Sequence, residues 1–116
     1  MLNGSPLTDD EFRKHSEHAL SHLKKALYAA EDEGDFEVEE QNGVLNILFE
    51  RPAGKFVLTP NAPVRQLWIS ALSTSFKLDW DEVEYAFVYP RTRETLTILV
   101  GRLIAEHTGD GEFELA

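Results

Sequence analysis

Residues 35–50 read Asp35-Phe36-Glu37-Val38-Glu39-Glu40-Gln41-Asn42-Gly43-Val44-Leu45-Asn46-Ile47-Leu48-Phe49-Glu50. Two strand-like runs flank Asn42-Gly43, a pair that closes tight β-hairpins because both turn positions require positive φ. Such a turn predicts Val38 opposite Ile47, Phe36 opposite Phe49 and Glu37 opposite Leu48. The first two pairs are apolar and share a face, so turn chemistry and hydrophobic pattern agree. Asp35, Glu37 and Glu39 are then predicted to point together from the other face.

Upstream, Leu7-Thr8-Asp9-Asp10-Glu11-Phe12 combines several helix-start signals. Thr8 can cap, Glu11 can close a capping box, and Leu7 and Phe12 are placed to form a hydrophobic staple. Asp9 and Asp10 suit the positive end of the helix dipole. Phe12, Ala19, Leu20, Leu23, Ala26, Leu27 and Ala30 recur at three- and four-residue steps, which predicts a helix over residues 9–31, ended by the acidic run and Gly34. Downstream, Arg51-Pro52-Ala53-Gly54 and the segment Pro60 to Pro63 read as turns. Lys55 to Thr59, Val64 to Ala71, Phe76 to Trp80 and Tyr85 to Tyr89 read as strands. Pro90-Arg91-Thr92 leads into a final helix with Thr92 as its cap and a stripe of Leu96, Leu99, Val100, Leu103 and Ile104.

Helix, about six strands, then helix predicts an α+β two-layer sandwich with both helices on one face of an antiparallel sheet. A single domain is expected over residues 1–116, with its core within residues 8–107 and frayed termini, including the tail from Gly109.

The 116 residues include no cysteine, which excludes disulfides, thiolate catalysis and metal sites built on this chain's own thiolates. The formal charge is −10. That field repels phosphate backbones and anionic bilayers and attracts cations and basic protein surfaces. The acidity is local: no Lys or Arg falls between Lys25 and Arg51, a gap that holds Glu31, Asp32, Glu33, Asp35, Glu37, Glu39 and Glu40. Neither a bilayer-length apolar run nor a leader pattern at Met1-Leu2-Asn3-Gly4-Ser5-Pro6 is visible, so a soluble cytoplasmic protein is expected. Ser70, Ser73 and Ser75 lack the context of a nucleophile elbow, and no phosphate-cradling glycine loop occurs.

Together these pieces resemble the frataxin family in its bacterial CyaY-type form, from Thr8 to His107. The matching segments are the helix opening with Phe12, Asp35-Phe36-Glu37-Val38, Gly43-Val44-Leu45-Asn46-Ile47, Pro63-Val64-Arg65-Gln66-Leu67-Trp68-Ile69-Ser70, Asp79-Trp80, Val88-Tyr89 and the Leu-rich final helix. The resemblance implies a weakly iron-binding, non-enzymatic monomer that docks on the cysteine desulfurase–scaffold complex of iron–sulfur cluster assembly, with metal-induced oligomers open. Fe(II) or Fe(III), and other first-row divalent ions, are the implied ligands. The chain departs from the family at Lys24, Lys25, Tyr28 and Ala29, where carboxylates are usual, and at Thr59-Pro60-Asn61. Lys77 replaces an arginine, losing its bidentate fork, and Phe87 replaces a tryptophan.

Candidate metal ligands are Asp9, Asp10, Glu11, Glu17, His18 and His22 on the first helix and Glu31, Asp32, Glu33, Asp35, Glu37 and Glu39 in the acidic run. Exposed carboxylates hold hard cations loosely, with water completing the shell, and they equally serve as a solvated surface. Glu11, His15, His18 and His22 follow at steps of four, three and four along one helix edge. His18 and His22 can chelate a transition metal, while His15 is placed to lean on the core. Candidate partner contacts are Asn61, Arg65, Gln66, Trp68 and Lys77. Leu67 and Ile69 alternate with Trp68, and two aliphatics fill a core more naturally, which leaves Trp68 on the open face as a docking residue. Two other functions stay open: a ferroxidase on the acidic or histidine edge, and an acidic interaction module without a metal role.

Overall fold

In the computed structural model, which describes residues 7–115, helix α1 (Asp9–Gly34) precedes a seven-stranded sheet and helix α2 (Leu96–Thr108) follows it. The strands are β1 (Phe36–Gln41), β2 (Val44–Glu50), β3 (Ala53–Asn61), β4 (Gln66–Ala71), β5 (Thr74–Asp81), β6 (Ala86–Tyr89) and β7 (Glu94–Thr95). Each pairs antiparallel with its sequence neighbour, so the sheet is a meander in chain order. Both helices lie on one face, an α+β sandwich as the sequence predicts.

The hairpin has the register its turn demands. Phe36 pairs with Phe49, Glu37 with Leu48 and Val38 with Ile47, while Asn42 and Gly43 take φ of 54° and 80°. The core side carries Phe36, Val38, Leu45, Ile47, Phe49, Phe56, Leu58, Leu67, Ile69 and Leu78, all buried. Leu23 and Leu27 of α1 and Leu99 and Leu103 of α2 pack against them in one cluster. The α1 start is also as read. The Thr8 hydroxyl accepts from the Glu11 amide at 3.1 Å, and the Glu11 carboxylate accepts from the Thr8 amide at 2.9 Å. Leu7 and Phe12 are both buried. Ser16 joins the buried stripe unexpectedly; its hydroxyl is satisfied by donating to the Arg13 carbonyl at 3.1 Å.

Several boundaries differ from the sequence reading, among them β3, which starts at Ala53 inside the expected turn and runs through Pro60 to Asn61. Helix α1 continues to Gly34, and Asp35 ends it in the left-handed region, its amide donating to the Glu31 carbonyl. The strand expected from Val64 begins at Gln66, because Ala62–Val64 form a single 3-10 turn and Arg65 turns left-handed at φ 52°. A seventh strand, β7, exists because the Tyr89 carbonyl accepts from the amides of Thr92 and Arg93, folding the chain straight back. Helix α2 therefore starts at Leu96 with Thr95, not Thr92, at its N-cap.

A further difference is the tail, which is docked where fraying was expected. Phe113 is buried, its ring edge-on to Phe36 at 6.1 Å. Gly34 makes the space: a Cβ there would meet the Phe36 ring at 2.3 Å and the Phe113 ring at 3.0 Å. Leu115 lies against Gly101 of α2. The readings for residues 1–6 and 116 fall outside the described residues. Among the described residues, no helix is long and apolar enough to cross a membrane.

Two outcomes follow from these contacts. Phe113→Ala should cost about 3 kcal/mol in urea unfolding, the usual range for emptying a buried aromatic site, whereas the exposed Glu114→Ala should stay within about 0.5 kcal/mol. The second concerns Glu94, whose carboxylate takes two hydrogen bonds from the Arg102 guanidinium, at 2.7 and 2.8 Å. These hold its pKa below the usual value. A depressed carboxylate contributes stability that is complete above its unfolded pKa and is lost as pH falls through the folded one. Unfolding free energy measured against pH should therefore decline below about pH 4, with a shallower slope in Glu94→Gln.

Candidate functional site

The acidic surface is built by the junction of α1 and the hairpin. Glu31 and Asp32 end the helix, Asp35 is its C-cap, and Glu37 and Glu50 come from β1 and β2. These five carboxylates line one open hollow of about 400 Å³, floored by Phe36 and Leu48. Glu50 was missed by the sequence reading, although extending the hairpin register by one pair places it opposite Asp35. Glu31 has a second task. Its Oε2 accepts the Val38 amide of the edge strand β1 at 2.9 Å, satisfying a backbone donor that no further strand can reach.

The remaining predicted acids divide into separate groups. Glu33 is exposed but does not line the hollow, and Glu39 lies on the open face of the sheet beside Asn46. Glu40 turns to α1, where Lys24 Nζ donates to it at 2.6 Å; that bond raises the Lys24 pKa. A cation thus closes the acidic run where a carboxylate was expected. Asp9, Asp10 and Glu11 lie roughly 30 Å away along α1, and each is engaged: Asp9 with Arg65 at 2.6 Å, Asp10 with Arg13 at 3.2 Å, Glu11 in the capping box. The box amide of Thr8 holds the Glu11 pKa below normal. Glu17 lines a different groove, with Arg13, Lys24 and Pro60. Among the described residues, no three His, Asp or Glu side chains converge on a single ion position. The hollow suits a hydrated hard cation held by one or two carboxylates at a time, with water as the other ligands.

The second surface is the sheet face opposite the helices. Leu67 and Ile69 are buried and Trp68 is half-buried on the open side, as their alternation predicts. Trp68 pairs with Thr59 on one side and Lys77 on the other; one row along, Gln66 lies between Asn61 and Asp79. The four central side chains hold one another. The Trp68 indole N–H donates to Gln66 Oε1 at 2.9 Å, and Gln66 Nε2 donates to Asp79 Oδ1 at 2.9 Å. Lys77 Nζ stands 4.7 Å from the Trp68 ring centroid, within cation–π range. Asn61, Gln66, Trp68 and Lys77 therefore form one patch, to which the sequence reading did not add Asp79.

Arg65 does not belong to this patch. The left-handed turn sends its guanidinium to Asp9 of α1, and its Nε is buried without a hydrogen-bond partner. It ties the loop to the helix. Trp80 is likewise internal to the helix side, stacked on the His15 ring at 3.9 Å with the planes 14° apart and edge-on to Phe87 at 5.2 Å.

Residues 5–110 match a family model described as a frataxin-like domain. A protein of Pseudomonas aeruginosa named iron-sulfur cluster assembly protein CyaY is 32% identical over 90 residues, covering 76% of this chain and 82% of that one. Its namesake in Pseudomonas paraeruginosa is 35% identical over 83 residues, covering 71% and 76%. The mitochondrial frataxin of Arabidopsis thaliana is 32% identical over 99 residues, covering 79% of this chain and 51% of its own. Among solved structures, a frataxin from Psychromonas ingrahamii superposes with a TM-score of 0.69 at 15% identity, over 94% of this chain and 96% of that one. Yeast frataxin superposes with a TM-score of 0.61 at 21% identity, over 91% and 96%. The two superpositions concern the fold.

The hollow separates structural from merely exposed carboxylates. Glu31→Ala leaves the Val38 amide without its acceptor and should cost about 1–2 kcal/mol in denaturant unfolding. Asp32→Ala, which removes only a like charge from the same hollow, should be neutral to within about 0.5 kcal/mol.

Proposed function

This chain belongs to the frataxin-like family, and from that premise we propose that it serves iron–sulfur cluster assembly as a weakly iron-binding accessory protein. In this reading it docks on a cysteine desulfurase–scaffold complex and modulates sulfur or iron transfer, acting by binding in the cytoplasm and not by turnover. The relatives named for that process are 32% and 35% identical to it over the aligned residues. Iron is cargo here, not a resident cofactor.

The observation that carries the reading is the uncovered sheet face. A tryptophan on an open sheet sacrifices burial unless a partner covers it, and Trp68 is held ready by Gln66, Asp79 and Lys77. An aromatic anchor pre-ordered in this way loses little side-chain entropy on docking. The hollow of Glu31, Asp32, Asp35, Glu37 and Glu50 opens at the β1 edge of the same sheet. Its unbalanced charge would steer a basic partner surface toward the Trp68 patch and collect hydrated Fe(II) at low affinity.

Trp68→Ala should weaken binding to the desulfurase–scaffold complex by about thirtyfold, the loss expected of an interface hot spot near 2 kcal/mol, while leaving the melting temperature nearly unchanged. Glu37→Lys/Glu39→Lys should weaken it further and flatten its salt dependence. Wild-type binding by both variants in calorimetry sinks the docking reading. For the metal, Fe(II) titration followed by NMR should broaden amides around the hollow first, and a chelator should reverse this without lowering the melting temperature. Saturable iron-dependent oxygen consumption would instead mark the protein as a ferroxidase.

A further inference from the structure

A second hollow lies across α1 from the acids. It encloses about 290 Å³ between the middle of α1, the β5–β6 connection and the start of α2, and is lined by His15, His18, His22, Trp80, Tyr85 and Thr97 among others. The three imidazoles differ in state. His15 is committed to aromatic packing, stacked on Trp80 at 3.9 Å and edge-on to Tyr85 at 5.2 Å. His18 and His22 are exposed at its rim. Among the described residues only the His107 imidazole makes a hydrogen bond, so the nitrogens of His18 and His22 are uncommitted.

We propose that His18 and His22 chelate a nitrogen-preferring divalent cation, of the Cu(II), Ni(II) or Zn(II) class, at a site separate from the acidic hollow. Residues four apart on a helix stand one above the other, about 5–6 Å between Cβ atoms. From there two imidazoles reach a common ion at about 2.0–2.1 Å by rotamer adjustment alone. The His15–Trp80 stack, one turn toward the N-terminus, fixes the helix against the sheet, so chelation orders only the two side chains. The hollow leaves room for waters to complete the shell. The net charge of −10 attracts cations, and no Lys or Arg lines the hollow itself, while Lys14 and Lys25 flank the pair along the helix.

Donor type separates the two sites. Imidazole favours ions late in the first transition row, and carboxylate with water favours harder ones. His22 is about 14 Å from Glu31 along the helix axis, too far for a shared ion. The chain would thus sort cations by chemistry on opposite sides of α1.

The test uses the whole chain with Cu(II) or Zn(II) as the probe. Cu(II) should give an EPR spectrum with nitrogen hyperfine structure, and Zn(II) should shift the His18 and His22 ring resonances before any amide of the acidic hollow. His18→Ala and His22→Ala should each weaken binding at least tenfold, and the pair should abolish the nitrogen signal. Asp32→Asn/Glu37→Gln should leave it unchanged, which keeps this outcome distinct from that for iron. A double histidine variant that still shows the signal, or Zn(II) shifting the hollow first, overturns the proposal. Helical circular dichroism of each variant separates lost binding from lost folding.

Discussion

The two-residue turn at Asn42-Gly43 is the constraint from which the functional geometry descends. With both residues at positive φ, the hairpin has one register. A slip of β1 by a single residue would turn Phe36 and Val38 to solvent and bring Glu37 and Glu39 against α1. No arrangement of the helices could compensate, because the core would then enclose unpaired carboxylates at several kcal/mol each. The register that stabilises the core is thus the one that presents the acids. Leu23 and Leu27 hold the helix against that face, and Glu31 binds the edge-strand amide. One carboxylate of the hollow is therefore part of the fold, Asp35 pairs with Arg51 at 3.4 Å, and Asp32, Glu37 and Glu50 face solvent.

Much of this was legible before any coordinates. The capping box, the staple, the hairpin register and the inward Leu67 and Ile69 are local patterns with local causes, and each is present. What was not legible involves contacts between distant segments. Phe113 finds its place only because Gly34 lacks a side chain, and no periodicity in a tail reports that. Arg65 was grouped with Trp68 by sequence adjacency. A left-handed backbone at a non-glycine residue broke the alternation and sent it to Asp9, fifty-six residues earlier. The acidic residues were counted as one run along the chain, whereas the helix end, the cap and the strand alternation distribute them into a hollow, an open-face position and an ion pair with Lys24.

The departures from the family pattern now have a structural meaning. With Lys24 and Lys25 on α1 where carboxylates are usual, the helix offers no continuous acidic ridge. Lys24 joins Glu40 and closes the run on one side, so acidity is concentrated at the helix–hairpin junction. A lysine at position 77 cannot make the flat, bidentate contact that a guanidinium makes. The ammonium instead sits over the Trp68 ring, where a compact charge and an aromatic face suit each other. The proposed docking surface thereby has a positive charge and an aromatic anchor held together.

In the proposed function, weak metal binding would be a consequence of this construction and not a shortfall in it. A tight site needs donors that converge and are held there by packing, which buries charge and requires a compensating cation for stability. Here the acids stay solvated on the rim of a small domain and no three converge among the described residues, so the apoprotein stands without an ion and an ion leaves as readily as it arrives. An accessory protein that hands cargo on, or that must release a basic partner, requires that balance. In the proposed function the same surface would hold iron loosely and a protein loosely, and the two occupants would compete for it. Under that proposal iron loading and docking would be linked through the charge of one hollow, with Trp68, outside that field, setting how much affinity survives when the hollow is filled.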